Sequence, residues 1–286
     1  MRTTVGREEM RVDSNAVNSA ERVRGMHGSN RAAWNEGAVG YTEYIGDMDV
    51  LPGGGTTLKP IELEHLGDLS WCRRAIHLQC ASGADTLSLH NLGAREVIGV
   101  DISDVHIENA RRKTEQLGFP ARWYRCDLLD TPHELDGTAD LVYTGKGALN
   151  WLQDIDGWAR VVVRLLRPGG RFYCYEGHPI IWPFKLDAEH WEWDPEQSYF
   201  RTEPEPSQGW SPEYLGDVIT TPAEQQAVKY ERVWPVSTII NALIDSGLRL
   251  DRFTEHPDQY FNCFPNISTE EKAVLPQTFA LQMTKL

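Results

Sequence analysis

The sequence lacks features that would each point to a particular class of protein. It has no dense run of Lys and Arg, and its 28 basic against 42 acidic residues give a net charge of −14 over 286 residues. Binding along a nucleic acid or to an anionic membrane needs clustered cations, so we expect neither partner. No apolar run approaches the roughly 18 residues of a membrane span, and the polar N-terminus has no signal-peptide pattern. We therefore expect a cytoplasmic protein.

Paired or regularly spaced cysteines are also missing. The five cysteines are odd in number and show neither a CxxC motif nor Cys/His ligand spacing, which argues against a disulfide framework and against a metal site. Three of them fall inside apolar strand patterns, where we expect them to be small buried hydrophobic side chains: Cys80, Cys126 and Cys174.

What the sequence does contain is a nucleoside-binding pattern between residues 73 and 104. An apolar run breaks at the small-residue turn Ala81-Ser82-Gly83, a helical pattern follows, and a second apolar run ends at Asp101. In this arrangement of strand, turn, helix, strand and acid, the backbone approaches a nucleotide closely and the acid binds a ribose diol. The pattern taken alone is compatible with several nucleoside cofactors.

Strands and helices alternate through the rest of the chain and predict an α/β fold with a doubly wound, mostly parallel sheet of seven strands. We expect residues 1–28 to be a disordered lead and residues 29–69 an N-terminal helical cover, whose helix is capped by Ser29 or Asn30. Residues 70–286 form the main domain. Within it, Arg167-Pro-Gly-Gly is predicted to be a turn that leads into strand five.

The alternation stops between residues 179 and 235. This insertion after strand five is too long for an ordinary connection, so we interpret it as a lid that contributes to substrate binding. It is rich in aromatic residues, and half of the ten tryptophans fall in it: Trp182, Trp191, Trp193, Trp210 and Trp234.

Five motifs in order resemble those of the class I S-adenosylmethionine-dependent methyltransferases of the small-molecule type. They are IHLQCASG at 76–83, GVDIS at 99–103, RCDL at 125–128, DLVYTGKGALNW at 140–151 and LRPGGR at 166–171. The resemblance covers residues 70–285 and implies S-adenosyl-L-methionine as cofactor and S-adenosyl-L-homocysteine as product. It implies that Asp101 holds the ribose hydroxyls and Asp127 the adenine amino group. The cofactor-binding residues it indicates are Gln79, Ala81, Ser82, Gly83, Asp101, Ile102, Asp127, Leu128, Thr144, Gly145 and Lys146.

The first motif departs from the family pattern of acid-x-Gly-x-Gly-x-Gly. His77 replaces the acid, Gln79 and Ala81 replace two glycines, and Gly83 remains. Side chains at Gln79 and Ala81 oppose close backbone approach, and the missing acid leaves the ammonium group of the methionine part without its frequent partner.

Candidate catalytic residues follow the strand ends, where ligands bind in such sheets. His178 directly after strand five is a candidate proton acceptor, with Glu176 to orient its ring, and Tyr41 of the N-terminal cover is a candidate near the methyl group. The alternative interpretation makes His178 a hydrogen-bonded structural residue, Glu176 a solvated carboxylate, and Tyr41 an aromatic that docks its helix on the core.

Candidate substrate-binding residues are Trp34, Asn150 and Trp182. Aromatic faces stack on aromatic acceptors or attract cationic amines. The alternatives are that Trp34 docks a helix, that Asn150 caps the next helix, and that Trp182 belongs to a small aromatic core of the insertion. The two alternatives for the Lys146 side chain are contact with the cofactor and exposure to solvent.

The function predicted is methyl transfer from S-adenosylmethionine to a small aromatic or heteroaromatic acceptor at nitrogen, oxygen or electron-rich carbon. An indole or another amino-acid-derived natural-product intermediate would suit the aromatic insertion. A protein that binds S-adenosylmethionine without transferring its methyl group, and a dinucleotide-dependent oxidoreductase, are the alternatives. A homodimer is compatible with the sequence.

Overall fold

The structure is a computed structural model that describes residues 14–43, 46–201, 203–210, 219 and 221–286, with side chains for all of these except 14–18, 41–43, 46 and 47. The main sheet has seven strands in the order β3-β2-β1-β4-β5-β9-β8. The first five are parallel, and β9 is antiparallel to both neighbours. The strands are β1 (Arg74–Leu78), β2 (Glu96–Asp101), β3 (Ala121–Arg125), β4 (Ala139–Gly145), β5 (Leu166–Gly177), β8 (Leu248–His256) and β9 (Thr278–Lys285), and a separate hairpin pairs β6 (Glu205–Gln208) with β7 (Val228–Glu231).

Helices cover both faces of the sheet, which confirms the predicted doubly wound architecture. Capping follows the sequence: the Ser103 side chain accepts from the N–H of His106 at the start of α5, and Gly118 ends that helix in a left-handed conformation. The helices are α1 (Ser14–Glu43), α2 (Gly46–Val50), α3 (Pro60–Leu66), α4 (Ala84–Asn91), α5 (Asp104–Leu117), α6 (Ile155–Leu165), α7 (Val236–Asp245) and α8 (Thr269–Lys272).

Both faces of the central strands are buried, as a parallel sheet requires. Side chains alternate along β4, so that Val142 packs in the cluster with Trp158 of α6, while Leu141 and Tyr143 pack on the opposite face. The chain runs from β1 outwards to β3 and then returns to place β4 on the other side of β1. The carboxyl ends of β1, β2 and β4 therefore meet where the strand order reverses, which is the ligand-binding position of such sheets.

The N-terminal helix is longer than the sequence predicted. Helix α1 begins at Ser14, so residues 14–28 are helical rather than a disordered lead, and neither Ser29 nor Asn30 is its cap. Both side chains instead bond to other segments: Ser29 Oγ donates to Val228 O, and Asn30 Nδ2 donates to Tyr230 O at 2.9 Å. Such tertiary bonds leave no local sequence pattern.

The predicted turn at Arg167-Pro-Gly-Gly is also different in the structure. These residues lie within β5, where the pairing with β4 shifts register between Ala139 and Leu141. Gly169 has φ +71°. The segment is an irregularity of the strand rather than a separate turn.

The described residues of the insertion form two parts that pack on different regions of the domain. Its first part joins a small apolar cluster formed by Ile181, Phe264 and Ile267, against which Trp182 and Trp191 pack. Its hairpin lies against α1, where Trp210 donates from Nε1 to Ala33 O at 3.2 Å. Residues 1–13 of the predicted lead lie outside the described residues, and the division into a cover and a lid stays a prediction.

Candidate functional site

A cleft of about 300 Å³ lies at the carboxyl ends of β1, β2 and β4 and is covered by α1. Nine predicted site residues line it: Trp34, Gln79, Ala81, Asp101, Ile102, Asp127, Leu128, Gly145 and Lys146. The motifs are thus brought together as the strand order requires, although their roles stay predictions.

The turn after β1 keeps a glycine-like backbone without the glycines. Gln79 has φ +58° and Ala81 φ +45°, the two positions at which the resemblance expects glycine, and Lys146 after β4 has φ +60°. A left-handed conformation costs a residue with a Cβ atom about 1–2 kcal/mol. All three residues line the cleft, and strain of this kind is typical of functional sites.

Asp101 at the end of β2 is buried and ties two segments of the cleft together. Its Oδ2 accepts from the Ala81 N–H at 2.9 Å, and its Oδ1 accepts from the Ser103 N–H at 2.8 Å. Burial raises the pKa of Asp101 to about 6, although these backbone donors act in the opposite direction. A carboxylate has about four acceptor positions, so acceptor capacity remains for hydroxyl groups in the cleft.

Asp127 at the other end of the cleft is bound to α1. Its Oδ2 lies 2.7 Å from His27 Nδ1 and 3.0 Å from Arg24 Nη1, and its Oδ1 accepts from the Leu129 N–H. His27 Nε2 accepts from the Gln153 N–H at 3.2 Å, which leaves Nδ1 as the donor to Asp127. Burial opposes ionisation of Asp127, but the bond from His27 and the Arg24 cation hold its pKa below the usual value.

The predicted catalytic pair does not lie in the cleft. His178 is bonded on both ring nitrogens, since Nδ1 accepts from the Ile180 N–H and Nε2 lies 3.1 Å from Glu255 Oε1. Burial lowers the pKa of His178, against the effect of Glu255. The alternative interpretation therefore describes His178 correctly: it caps a turn.

Glu176 is buried and holds the loop after β4. Its two oxygens accept from the N–H groups of Gly147, Ala148 and Leu149, at 2.7, 2.7 and 3.1 Å. Burial raises the pKa of Glu176 to about 7. The residue is neither solvated nor in contact with the His178 ring; it positions the loop that lines the cleft.

The other predicted residues have mixed positions. Gly83 starts α4 with φ +82°, and a Cβ there would lie 2.5 Å from the Trp123 ring, so packing requires this glycine. Ser82 and Thr144 are buried outside the cleft lining, and the Asn150 carbonyl accepts from the Arg232 N–H. Trp182 packs in the small apolar cluster of the insertion rather than on the cleft. Tyr41 falls in α1, and its side chain lies outside the described residues.

An aromatic cluster closes the cleft beside α1. The ring centroid of Trp34 lies 5.0 Å from that of Trp151, in the loop after β4. It lies 4.7 Å from that of Trp210, in the insertion. Trp34 and Trp151 line the cleft together with His106, whose pKa burial lowers to about 3. This cluster provides an apolar, aromatic wall.

Sequence reasoning missed His27, Asn30 and Asp85 as lining residues. Asp85 lies only two positions after Gly83. A carboxylate so close to the predicted cofactor loop could have been predicted to line the cleft. His27 and Asn30 had none, because they reach the cleft only through the docking of α1.

Buried polar atoms without partners allow a test of whether a nucleoside cofactor with an amino-acid tail suits the cleft. Gln79 Oε1 and His77 Nε2 are buried and have no hydrogen-bond partner in the described part of the chain, and both residues line the cleft. Such atoms cost free energy unless a ligand satisfies them. Together with the open acceptor positions of Asp101, they fit S-adenosylmethionine.

Two further properties concern the described residues alone. None of their helices is both long and apolar enough to cross a membrane. Nor do these residues bring together three His, Cys, Asp or Glu side chains in a group suited to a metal ion.

Comparison with known proteins identifies the domain. Residues 75–170 match the family model of a methyltransferase domain. A demethylmenaquinone methyltransferase of Thermus thermophilus is 32% identical over 125 residues, which cover 39% of this chain and 56% of that protein. The chain thus spans little more than half the length of this relative.

Solved structures share the fold. An S-adenosylmethionine-dependent methyltransferase from Mesorhizobium loti has a TM-score of 0.56 at 24% identity, over 79% of this chain and 96% of that one. The geranyl diphosphate C-methyltransferase of Streptomyces coelicolor A3(2), crystallised with Mg²⁺, geranyl diphosphate and S-adenosyl-L-homocysteine, has a TM-score of 0.52 at 16% identity, over 78% of each chain. Residues 75–170 thus match a methyltransferase domain, and the chain shares its fold with solved S-adenosylmethionine-dependent methyltransferases.

Proposed function

We propose that the chain transfers a methyl group from S-adenosylmethionine to a small aromatic or heteroaromatic acceptor. The observation that carries this proposal is the cleft itself, in which Asp101 and Asp127 face one nucleoside-sized space at the reversal of strand order. When bound, the cofactor supplies an electrophilic methyl group for in-line displacement.

The chain's own contribution is binding, orientation and the exclusion of water. Asp101 holds the ribose hydroxyls and Asp127 the adenine amino group, while α1 covers both. Trp34 and Trp151 present aromatic surface on the same cleft, which supports an aromatic acceptor over a highly charged one.

The proton chemistry supports an acceptor that needs no strong base. Burial lowers the pKa of His77 to about 4 and that of His106 to about 3, so neither of these two imidazoles is a good proton acceptor at neutral pH. The third imidazole that lines the cleft, His27, is hydrogen-bonded through both ring nitrogens, to Asp127 and to the Gln153 N–H. An amine, a thiolate or an electron-rich carbon attacks without prior deprotonation by the protein.

A binding experiment followed by methyl-label transfer tests the proposal. Isothermal titration with S-adenosylhomocysteine should give a dissociation constant in the micromolar range, and NAD should not compete with it. Incubation with methyl-labelled S-adenosylmethionine and a panel of indoles, phenols and aromatic amines should then yield a labelled product. Binding of NAD in place of S-adenosylhomocysteine would favour the oxidoreductase, and binding without transfer to any acceptor would favour the non-methylating protein.

A further inference from the structure

The β4 side of the cleft contains a buried ion-pair network. Because β4 and β2 lie on opposite sides of β1, this side is remote from Asp101 and Asp127. Lys146 Nζ is bonded to Asp85 Oδ1 at 2.8 Å, to Glu62 Oε2 at 3.2 Å and to Thr57 O at 3.1 Å. An ammonium group has three donors, so Lys146 is satisfied within the protein. Lys146 therefore fixes its partners instead of binding a ligand.

Asp85 is held by one oxygen and open at the other. Its Oδ1 receives both Lys146 Nζ and Thr57 Oγ1, the latter at 2.6 Å. Its Oδ2 accepts no hydrogen bond within the described part of the chain, and Asp85 lines the cleft. Burial disfavours the charged form, but the Lys146 cation outweighs it and holds the pKa of Asp85 below the usual value. Asp85 thus offers the cleft an ionised, pre-oriented acceptor.

Two neighbouring groups lack partners in the same region. Gln79 Nε2 donates to Ala148 O at 2.7 Å, which fixes the amide, and its Oε1 is buried and unbonded. The His77 side chain, 3% exposed, bonds through Nδ1 to Thr86 Oγ1 and leaves Nε2 buried without a partner among the described residues. Its lowered pKa makes His77 neutral, so it adds no positive charge here, and an imidazole cannot supply the negative charge that the family pattern has at this position.

A primary ammonium is the group that these acceptors suit. It donates three hydrogen bonds and is stabilised by a carboxylate, and charge-assisted bonds of this type are stronger than neutral ones. A carboxylate or phosphate at the same place would instead be repelled by Asp85 Oδ2 and by Gln79 Oε1.

We propose that Asp85 Oδ2 and Gln79 Oε1 bind the α-ammonium group of the cofactor's methionine part, so that Asp85, anchored by Lys146, replaces the acid missing at position 77. The assignment rests on the proposed function, since it presupposes S-adenosylmethionine in this cleft. It explains why a chain without the first-motif acid retains the rest of the site.

Titration of two ligands tests this assignment without an activity measurement. S-adenosylhomocysteine carries the ammonium group, and 5′-methylthioadenosine lacks the whole amino-acid part. Asp85→Asn should weaken the binding of S-adenosylhomocysteine about 10- to 100-fold, because a charge-assisted hydrogen bond is lost. The same variant should change the affinity for 5′-methylthioadenosine less than threefold. Glu62→Gln is the matched control, because it also removes a carboxylate from Lys146, while residue 62 does not line the cleft. In this variant the ratio of the affinities for S-adenosylhomocysteine and 5′-methylthioadenosine should stay as in the wild type.

Each contrary result has a distinct meaning. Equal weakening of both ligands by Asp85→Asn, or no weakening of either, overturns the ammonium assignment while the proposed function stands. A wild-type protein that binds neither ligand overturns the proposed function and this assignment with it. If Asp85→Asn does not fold, Gln79→Leu is the second variant. It should weaken the binding of S-adenosylhomocysteine about tenfold and leave that of 5′-methylthioadenosine unchanged. An equal loss of affinity for both ligands refutes the assignment.

Discussion

The Asp101 carboxylate accepts a hydrogen bond from the backbone N–H of Ala81 at 2.9 Å, and this bond joins the end of β2 to the strained turn after β1. Ala81 is held at φ +45°, a conformation that glycine adopts without cost. The bond therefore stabilises a backbone shape that the residue itself disfavours.

Ala81→Gly should stabilise the protein by about 1 kcal/mol, because removal of the Cβ relieves the left-handed strain by more than the added freedom of the unfolded chain costs. The midpoint of thermal unfolding should rise by about 2–4 °C. Ala20→Gly, at an exposed position of α1, is the matched control and should lower stability by about 1 kcal/mol. If both variants lowered the stability of the protein, the turn at Ala81 would not be strained.

The stability of the protein should depend on the ionisation of Asp101. Because burial raises the folded-state pKa to about 6, the contribution of this group to stability is fully present below its unfolded pKa and is lost as the pH rises through about 6. The free energy of unfolding, measured with urea, should decrease between pH 5 and pH 8. This decrease should be smaller for Asp101→Asn than for the wild type, by roughly 1–3 kcal/mol. Parallel pH profiles for the two proteins would contradict this expectation.

His178→Ala should lower stability and leave cofactor binding intact. The variant loses the bond to the Ile180 N–H and the contact with Glu255, which costs about 1–2 kcal/mol. His178→Asn keeps a side-chain acceptor for the Ile180 N–H and should recover part of the loss. A titration in which His178→Ala weakens S-adenosylhomocysteine more than threefold would restore His178 to the site.

Trp210→Ala should loosen α1. The variant removes the ring contact with Trp34 and the bond to Ala33 O, so local opening of the helix becomes easier by about 1–2 kcal/mol. Amide hydrogen exchange in residues 27–38 should accelerate about tenfold. Trp193→Ala, at a half-exposed tryptophan of the other part of the insertion, should leave these rates unchanged. Equal acceleration by both variants would indicate a general loss of stability instead.

Most of the framework was predictable because it depends on local signals. Helix α5 begins after Ser103 and ends before Gly118, and both of these capping residues lie within the same short segment of sequence. The boundaries of α1 were wrong, because its first half is anchored by contacts such as the pair between Arg24 and Asp130, which no local pattern announces.

The catalytic candidates show the same limit at the level of single side chains. Strand five does end beside the cleft, but Glu176 bonds to the loop after β4 and His178 points to Glu255, so neither side chain enters it. A strand's end can be predicted from periodicity, whereas the direction of each side chain beyond it depends on which tertiary partners satisfy its polar atoms.

The sequence by itself determined the sheet and its ligand-binding edge, because hydrophobic periodicity and motif spacing act over short stretches of chain. Only the tertiary structure decided which charges meet. Asp85, Lys146 and Glu62 come from three separate segments, and their buried charges are tolerable only as a paired network. That pairing leaves one carboxylate oxygen open to the cleft, a property that no one of the three segments carries alone.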